Sequence, residues 1–211
     1  MPRPPAPLQQ GDLDGLCGAY ALVNAVTRLL HDRGFARPEA NRLFRGLCRA
    51  LHRRQKMPQA VWRGTYIEDV DAMLRTAQRF VKQNFGLRIR IERPFEGLEV
   101  RRKDRFFKEL GDRFGAIEGR KVAIIGLDRP DFHWTIAADV NERHLQLYDS
   151  GRSKRLRYAE CTLGNTVRHR QVILPAETRI LWLDSRPILL PRVRLIASRR
   201  PPLRHVLRDA A

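Results

Sequence analysis

The hydrophobic spacing of this chain changes at Gly86 and divides it into a helical part and a strand-rich part. Before Gly86, apolar residues recur at helical intervals in three segments, residues 17–31, 38–56 and 65–82. After it, apolar and charged residues alternate over residues 87–92, as in a half-buried strand. An α+β fold, with helices preceding a mostly antiparallel sheet, is therefore expected.

The three helical segments differ in the surfaces they offer. The first is apolar on most sides, which predicts a buried helix. The second has Pro38 in its first turn. A basic stripe beside its apolar face consists of Arg42, Arg45, Arg49, Arg53 and Lys56. The third is expected to begin at a capping box, with Thr65 as the N-cap and Glu68 reaching back to it.

The strand-rich part predicts a sheet containing a hairpin. A short charged helix is expected at residues 103–114, and the predicted strands are residues 121–127, 132–140, 144–149, 171–174 and 178–183. Asn141, Glu142 and Arg143 separate two of these strands and predict the hairpin turn.

Length and composition favour one domain with an appendage. The 211 residues are 43% hydrophobic, enough for a core that needs neither disulfides nor a metal. We expect a domain over residues 1–184 and a basic, Pro/Arg-rich tail over residues 185–211. No apolar run is long enough to span a membrane, and residues 1–7 lack the apolar segment of a signal peptide. A cytoplasmic protein, or an effector exported without a cleavable signal, is expected.

The cysteine count and the charge restrict the chemistry further. Three scattered cysteines, with no Cys-x-x-Cys pair, favour a reducing compartment and neither a disulfide framework nor a zinc site, so no cofactor or metal is predicted. The net charge of +18 favours an acidic partner, and the basic stripe can hold one unless it is only a solvated face. Nucleic acid is a disfavoured partner because no nucleic-acid motif is present, and the tryptophans, Trp62 among them, are expected in the core.

Cys17 is the candidate nucleophile. It stands at the predicted start of the first helix, where the helix dipole favours a thiolate and free N–H groups can bind an oxyanion. Gly15 and Gly18 leave room for a substrate backbone beside it. The alternative is a small buried cysteine that fills a gap in the core.

His133 and Asp149 are the candidate partners of Cys17. His133 opens a hydrophobic strand, where an imidazole is unusual unless a backbone carbonyl satisfies it. If the hairpin turn centres on Glu142, Thr135 pairs with Asp149 and His133 lies diagonally from Asp149 on one face, about 7–8 Å away between backbones. A turn centred one residue earlier puts His133 and Asp149 directly opposite, and a half-register slip puts them on opposite faces.

Together these stretches resemble papain-like cysteine peptidases, most closely the branch of bacteriocin-processing peptidases and Josephin-type deubiquitinases. The matching stretches are residues 15–22 (GLCGAYAL) with Asn24, and residues 133–135 (HWT) followed by residues 147–150 (LYDS). In element order the resemblance covers about residues 9–150. It implies a papain-like fold, a helical half packed on the sheet, and a Cys17–His133–Asp149 triad.

The resemblance also implies an oxyanion residue and a reaction class. Such peptidases usually have a glutamine five or six residues before the cysteine; here Gln10 lies seven before and Gln9 eight before, so Gln10 is the choice. The expected function is a thiol hydrolase that cleaves a peptide or isopeptide bond of a protein substrate. One alternative is a transglutaminase or deamidase toxin that uses the same triad. Another is a non-enzymatic basic binding module with an incidental cysteine.

Overall fold

The computed structural model describes residues 4–11, 14–130, 132–151, 153–164 and 170–184. The described helices are α1 (Cys17–Leu30), α2 (Arg37–Arg53), α3 (Met57–Arg63), α4 (Ile67–Phe85) and α5 (Lys103–Ala116). The described strands are β1 (Ile89–Glu92), β2 (Lys121–Leu127), β3 (His133–Val140), β4 (His144–Leu147), β5 (Arg155–Arg157), β6 (Cys161–Leu163) and β7 (Gln171–Leu183). The expected α+β class is confirmed, and the predicted tail, residues 185–211, lies outside the described residues.

The strands form one sheet in the order β1-β7-β2-β3-β4-β5, with β6 also paired to β7. Each described pairing is antiparallel except that of β6 with β7. The two strands predicted at residues 171–174 and 178–183 are one strand, β7. Its pairing with β2 shifts register because Gly126 pairs with Leu174 whereas Ile124 pairs with Arg179. The residues between Leu174 and Arg179 therefore form a bulge, which falls where the sequence predicts a gap between two strands.

The sheet is covered on both faces, which explains the continuous apolar run of β2. Val122 and Ile124 belong to a core shared with α1, α2 and α4. Ala123 and Ile125 belong to a second core, shared with α5. Successive residues of a strand point to opposite faces, so a strand between two cores needs apolar residues at every position.

Helix α1 is buried along nearly its whole length, as its sequence predicts. It packs against β2 and β3 on one side and against α2 and α4 on the other. Its buried Asn24 binds the chain N-terminal to the helix: Asn24 Oδ1 accepts from the Leu8 N–H at 2.8 Å, and Asn24 Nδ2 donates to the Leu8 carbonyl at 3.0 Å. The Tyr148 hydroxyl donates to the Pro5 carbonyl at 2.7 Å. These bonds hold the N-terminal segment beside the start of α1.

Two predicted helix boundaries are wrong. The helix expected over residues 38–56 ends at Arg53, and a separate α3 follows after Gln55, whose φ of 56° interrupts the helical backbone. Helix α4 begins at Ile67, and Asp69 rather than Glu68 accepts the Tyr66 N–H, at 3.4 Å. The shift has a packing cause: Thr65 is buried, and its carbonyl accepts the indole N–H of Trp134 at 2.8 Å.

A buried ion pair joins α4 to β7. Arg179 is 2% exposed and binds both carboxylate oxygens of Asp71, at 3.0 and 3.1 Å. It also donates to the Ala176 carbonyl, within the bulge of β7, at 2.8 Å. Burial raises the pKa of Asp71, but its bonds to Arg179 and the nearby Arg93 lower it below its usual value overall. No helix in the described part of the chain is long and apolar enough to cross a membrane.

We predict that Arg179→Met lowers the free energy of unfolding by about 3 kcal/mol, since it removes two hydrogen bonds to the Asp71 carboxylate, which keeps only its 3.5 Å ion pair with the more exposed Arg93. Urea denaturation measures the change. The matched control is Arg88→Met, an exposed arginine that should change stability by no more than about 0.5 kcal/mol. Equal, small effects of the two substitutions would show that this ion pair does not hold α4 to β7.

Candidate active site

Cys17 is the first residue of α1, and local contacts fix the start of that helix. Asp14 Oδ1 accepts the Leu16 N–H at 2.9 Å, and the Gly15 N–H donates to the Val61 carbonyl at 2.7 Å. Cys17 is 6% exposed, and its Sγ lies 3.7 Å from the Gly15 carbonyl oxygen. The N–H groups of the first helical turn precede any intrahelical acceptor, so those of Cys17 and Gly18 point away from the helix body.

The two glycines that flank Cys17 are required by close packing. A Cβ on Gly15 would lie 2.8 Å from both the Ala60 carbonyl oxygen and the Gly64 nitrogen. A Cβ on Gly18 would collide with the Thr65 hydroxyl. The glycines therefore allow the start of α4 and the segment before it to approach α1, and these segments form one wall beside the thiol.

His133 and Asp149 form a hydrogen-bonded pair next to Cys17. His133 Nε2 lies 2.8 Å from Asp149 Oδ1. The Asp149 side chain is 2% exposed, and its second oxygen accepts the Gly151 N–H at 2.7 Å. A Cβ on Gly151 would lie 2.9 Å from that oxygen and 3.4 Å from His133 Nε2, so a glycine is needed there. Cys17 lines the same cleft as His133 and interacts electrostatically with its imidazole.

The contacts of the pair determine its charge. Burial lowers the pKa of His133, but the hydrogen bonds to Asp149 and Cys17 raise it overall, to about 10. Burial likewise raises the pKa of Asp149, but the hydrogen bond and charge of His133 lower it overall, with Thr135 and the Gly151 N–H adding to the effect. At neutral pH the imidazolium and the carboxylate are therefore both charged, and the cation faces the cleft that Cys17 also lines.

Toward His133 and Asp149, the β3–β4 hairpin has the register of a turn centred on Glu142. Ala137 pairs with Leu147, and the Tyr148 N–H donates to the Ile136 carbonyl at 2.8 Å. Continued along both strands, this register places His133 diagonally across from Asp149. Nearer the turn the register shifts by one residue, and this irregularity lies between Ala137 and Asp139.

Gln10 lies in the same cleft as Cys17, whereas Gln9 is exposed. The Gln10 N–H donates to the Ser150 carbonyl at 3.2 Å, and its side-chain amide donates to the Asp14 carbonyl. An amide nitrogen carries two hydrogens, so one remains for another acceptor. The Gln9 side chain instead reaches the Asp149 carbonyl, at 3.4 Å.

An open cleft of about 750 Å³ runs past Cys17 and His133. Three aromatic side chains that line it are largely exposed: Trp62 at 78%, Tyr66 at 67% and Phe132 at 74%. The expectation that Trp62 belongs to the core is wrong, because α3 presents it to solvent. Glu177, in the bulge of β7, also lines the cleft. Large exposed aromatic residues around a cleft indicate a binding surface.

The sequence carried few signals for these additional residues. Trp62 and Tyr66 lie on either side of Gly64, whose positive φ of 80° marks a turn that its residue type makes possible. Glu177 faces the cleft only because β7 bulges, and no spacing rule indicates that. The basic stripe is exposed, and none of its residues lines the cleft. Its four arginines lie on α2, and Lys56 precedes α3. Its Arg42 lies 3.4 Å from Glu39 and above the Phe80 ring.

The three cysteines are unpaired, and the other two have different surroundings from Cys17. Burial raises the pKa of the half-buried Cys48 and raises that of Cys161 to about 12. Neither lies in the cleft lining. Among the residues with described positions, no group of three or more His, Cys, Asp or Glu side chains could hold a metal ion.

We predict that the His133 imidazole remains protonated well above pH 7, and that Asp149→Asn lowers its pKa by several units. The Asp149 carboxylate supplies the strongest contribution that raises the pKa of His133. When a neutral amide replaces it, burial of the imidazolium, which lowers this pKa, is the largest remaining effect. A ¹⁵N NMR titration of the histidine side chains measures both values. A wild-type pKa near 6.5, or one unchanged in the variant, would contradict the charged pair.

Comparison with protein-family models, with curated proteins and with solved structures gave no match. The case for function therefore depends on the side chains gathered in this cleft.

Proposed function

We propose that this protein is a thiol hydrolase with a papain-like fold that cleaves a peptide or isopeptide bond of a protein substrate. The observation that supports the proposal is that Cys17 and the hydrogen-bonded His133–Asp149 pair meet at one open cleft. A nucleophile, a base and a group that orients the base, arranged in this order, are the requirements of covalent acyl transfer.

In the proposed mechanism, Cys17 Sγ attacks the carbonyl carbon of the scissile bond as a thiolate paired with the His133 imidazolium. The imidazolium then gives its proton to the leaving amine nitrogen, and the C–N bond breaks to leave an S-acyl enzyme. Water, deprotonated by the now neutral imidazole, attacks the thioester and releases the carboxylic acid. The thiolate and the imidazolium are thereby restored.

Asp149 holds the imidazole in place and does not transfer a proton itself. Its bond to Nε2 fixes the ring orientation and leaves Nδ1 for the sulfur and for the leaving group. Its burial keeps that bond out of competition with water. The carboxylate also stabilises the positive charge that the imidazole carries before the first proton transfer and after the second.

Stabilisation of the oxyanion is assigned to two donors. One is the Cys17 N–H at the start of α1, where the helix dipole favours negative charge. The other is the Gln10 side-chain amide, held in the cleft by its backbone bond to Ser150. In this assignment the docked N-terminal segment contributes directly to the reaction.

The two alternatives predict different outcomes. A transglutaminase or deamidase would form the same acyl-enzyme from a glutamine side chain and release ammonia in place of an amine-terminated peptide. In a non-enzymatic binding module, Cys17 would have no catalytic role. The open cleft and its exposed aromatic residues suit an extended polypeptide, and this favours a protein as the substrate.

We predict that Cys17→Ala abolishes hydrolysis and changes the free energy of unfolding by at most about 1–2 kcal/mol. His133→Ala should reduce kcat by about three orders of magnitude. The reduction caused by Asp149→Ala should be at least tenfold smaller, because only the imidazole transfers protons. The assay uses internally quenched peptides and an isopeptide-linked lysine peptide, with ammonia release followed in parallel.

His52→Ala is the matched control for histidine loss, since His52 is exposed on α2 and should leave the rate unchanged. Circular dichroism on each variant separates loss of chemistry from loss of fold. Hydrolysis by Cys17→Ala at the wild-type rate would reject Cys17 as the nucleophile. Release of ammonia without bond cleavage would favour the deamidase alternative.

A further inference from the structure

Three carboxylate residues, Asp14, Asp128 and Glu177, line the cleft beside Cys17, on a protein whose net charge is +18. Arg63 and His133 are the basic residues of the same lining. Asp14 is engaged at the start of α1, but Glu177 projects from the bulge of β7 and lies against Gly126, where any Cβ would collide with its carboxylate. The absence of a side chain at Gly126 therefore makes the space that Glu177 occupies.

Within the described residues, Glu177 has neither a hydrogen-bond donor nor an ion-pair partner, although its side chain is half-buried. Its neighbour Arg179 is committed to Asp71 and the Ala176 carbonyl. Burial raises the pKa of Glu177; Arg179 opposes this, while Glu68 and Asp128 add to it. A half-buried carboxylate near like charges is costly unless a cation joins it.

The same cleft also presents the exposed rings of Trp62, Tyr66 and Phe132. A ligand that suits the whole cleft thus combines hydrogen-bond donors and positive charge with an apolar stem.

We propose that this cleft binds a cationic side chain of the substrate, arginine or lysine, close to the bond that Cys17 attacks. The inference rests on the proposed hydrolase function and assigns Glu177, with Asp128, to substrate recognition. The aliphatic stem would lie against Leu127, Leu174 and the aromatic rings, and the charged head would reach Glu177. Aromatic faces attract such cations in addition to covering their stems.

Other occupants fit less well. A neutral apolar side chain would bury Glu177 further without a counter-charge. A metal ion would need a group of at least three ligating side chains, which the described residues do not provide here. An arginine offers five N–H donors to the carboxylates of Glu177 and Asp128, whereas an acidic side chain would meet charges of its own sign there.

The charge preference can be measured on Cys17 without a substrate. Three methanethiosulfonate reagents are used: the cationic aminoethyl, the neutral methyl and the anionic sulfonatoethyl compound. In each case the thiolate attacks the sulfur that carries the side group, forms a mixed disulfide and releases methanesulfinate. Mass spectrometry of peptides separates modification of Cys17 from that of Cys48.

We expect Cys17 to react faster with the cationic reagent than with the neutral one, and Glu177→Gln to reduce that ratio about fivefold. The matched control is Glu142→Gln, which removes the same charge from an exposed turn and should leave the ratio unchanged. Equal ratios in the two variants would overturn this inference but not the proposed function. A Cys17 as slow as Cys48 toward the neutral reagent would overturn both.

A peptide library gives the corresponding test during turnover. Peptides prepared from an unrelated proteome with a Glu-specific protease are cleaved by the wild-type protein and by Glu177→Gln, with Cys17→Ala as the blank. Arginine or lysine should be enriched at least fivefold at one position within three residues of the cleaved bonds, and the enrichment should fall in the variant. Cleavage without such enrichment would refute the cationic preference alone, whereas an uncut library together with an uncut isopeptide-linked lysine peptide would refute the hydrolase as well.

Discussion

Burial of α1 against the sheet is the constraint on which the remaining arrangement depends. The helix packs on β2 and β3 and carries Cys17 as its first residue, so the position of the thiol is fixed by a core and not by a mobile loop. The same helix holds the N-terminal segment through Asn24, and its flanking glycines admit the wall that begins α4. The strand it covers begins at His133. A substitution in this core would therefore disturb nucleophile, base and cleft wall together.

Two carboxylates of the site, Asp149 and Glu177, serve different purposes on a protein whose net charge is +18. Asp149 is buried, accepts two hydrogen bonds and stabilises a cation within the protein. Glu177 is half-buried, lacks a partner among the described residues and remains available to a cation from outside. Both carboxylates are positioned by departures from regular strands, a loop after β4 and a bulge in β7.

The sequence predicts those features that depend on local spacing. Helical periodicity located α1, and the hairpin centred near Glu142 brought His133 toward Asp149 in the register the structure has at Ala137. Features that depend on long-range contact were not predictable. The separation of α3 from α2 exposes Trp62, and the bulge that directs Glu177 into the cleft arises from pairing between distant strands. The capping box moved by one residue because Thr65 is used to pack against Gly18 and Trp134.

The central claim, that His133 activates Cys17, is tested most directly by alkylation with iodoacetamide at pH 6, resolved by mass spectrometry for each cysteine. Cys48 is the internal reference, since burial raises its pKa and keeps it a thiol at that pH. The account predicts that Cys17 reacts at least about a hundredfold faster than Cys48 and that His133→Ala abolishes most of this difference. Equal rates at Cys17 and Cys48, or a fast Cys17 that is indifferent to His133→Ala, would contradict it.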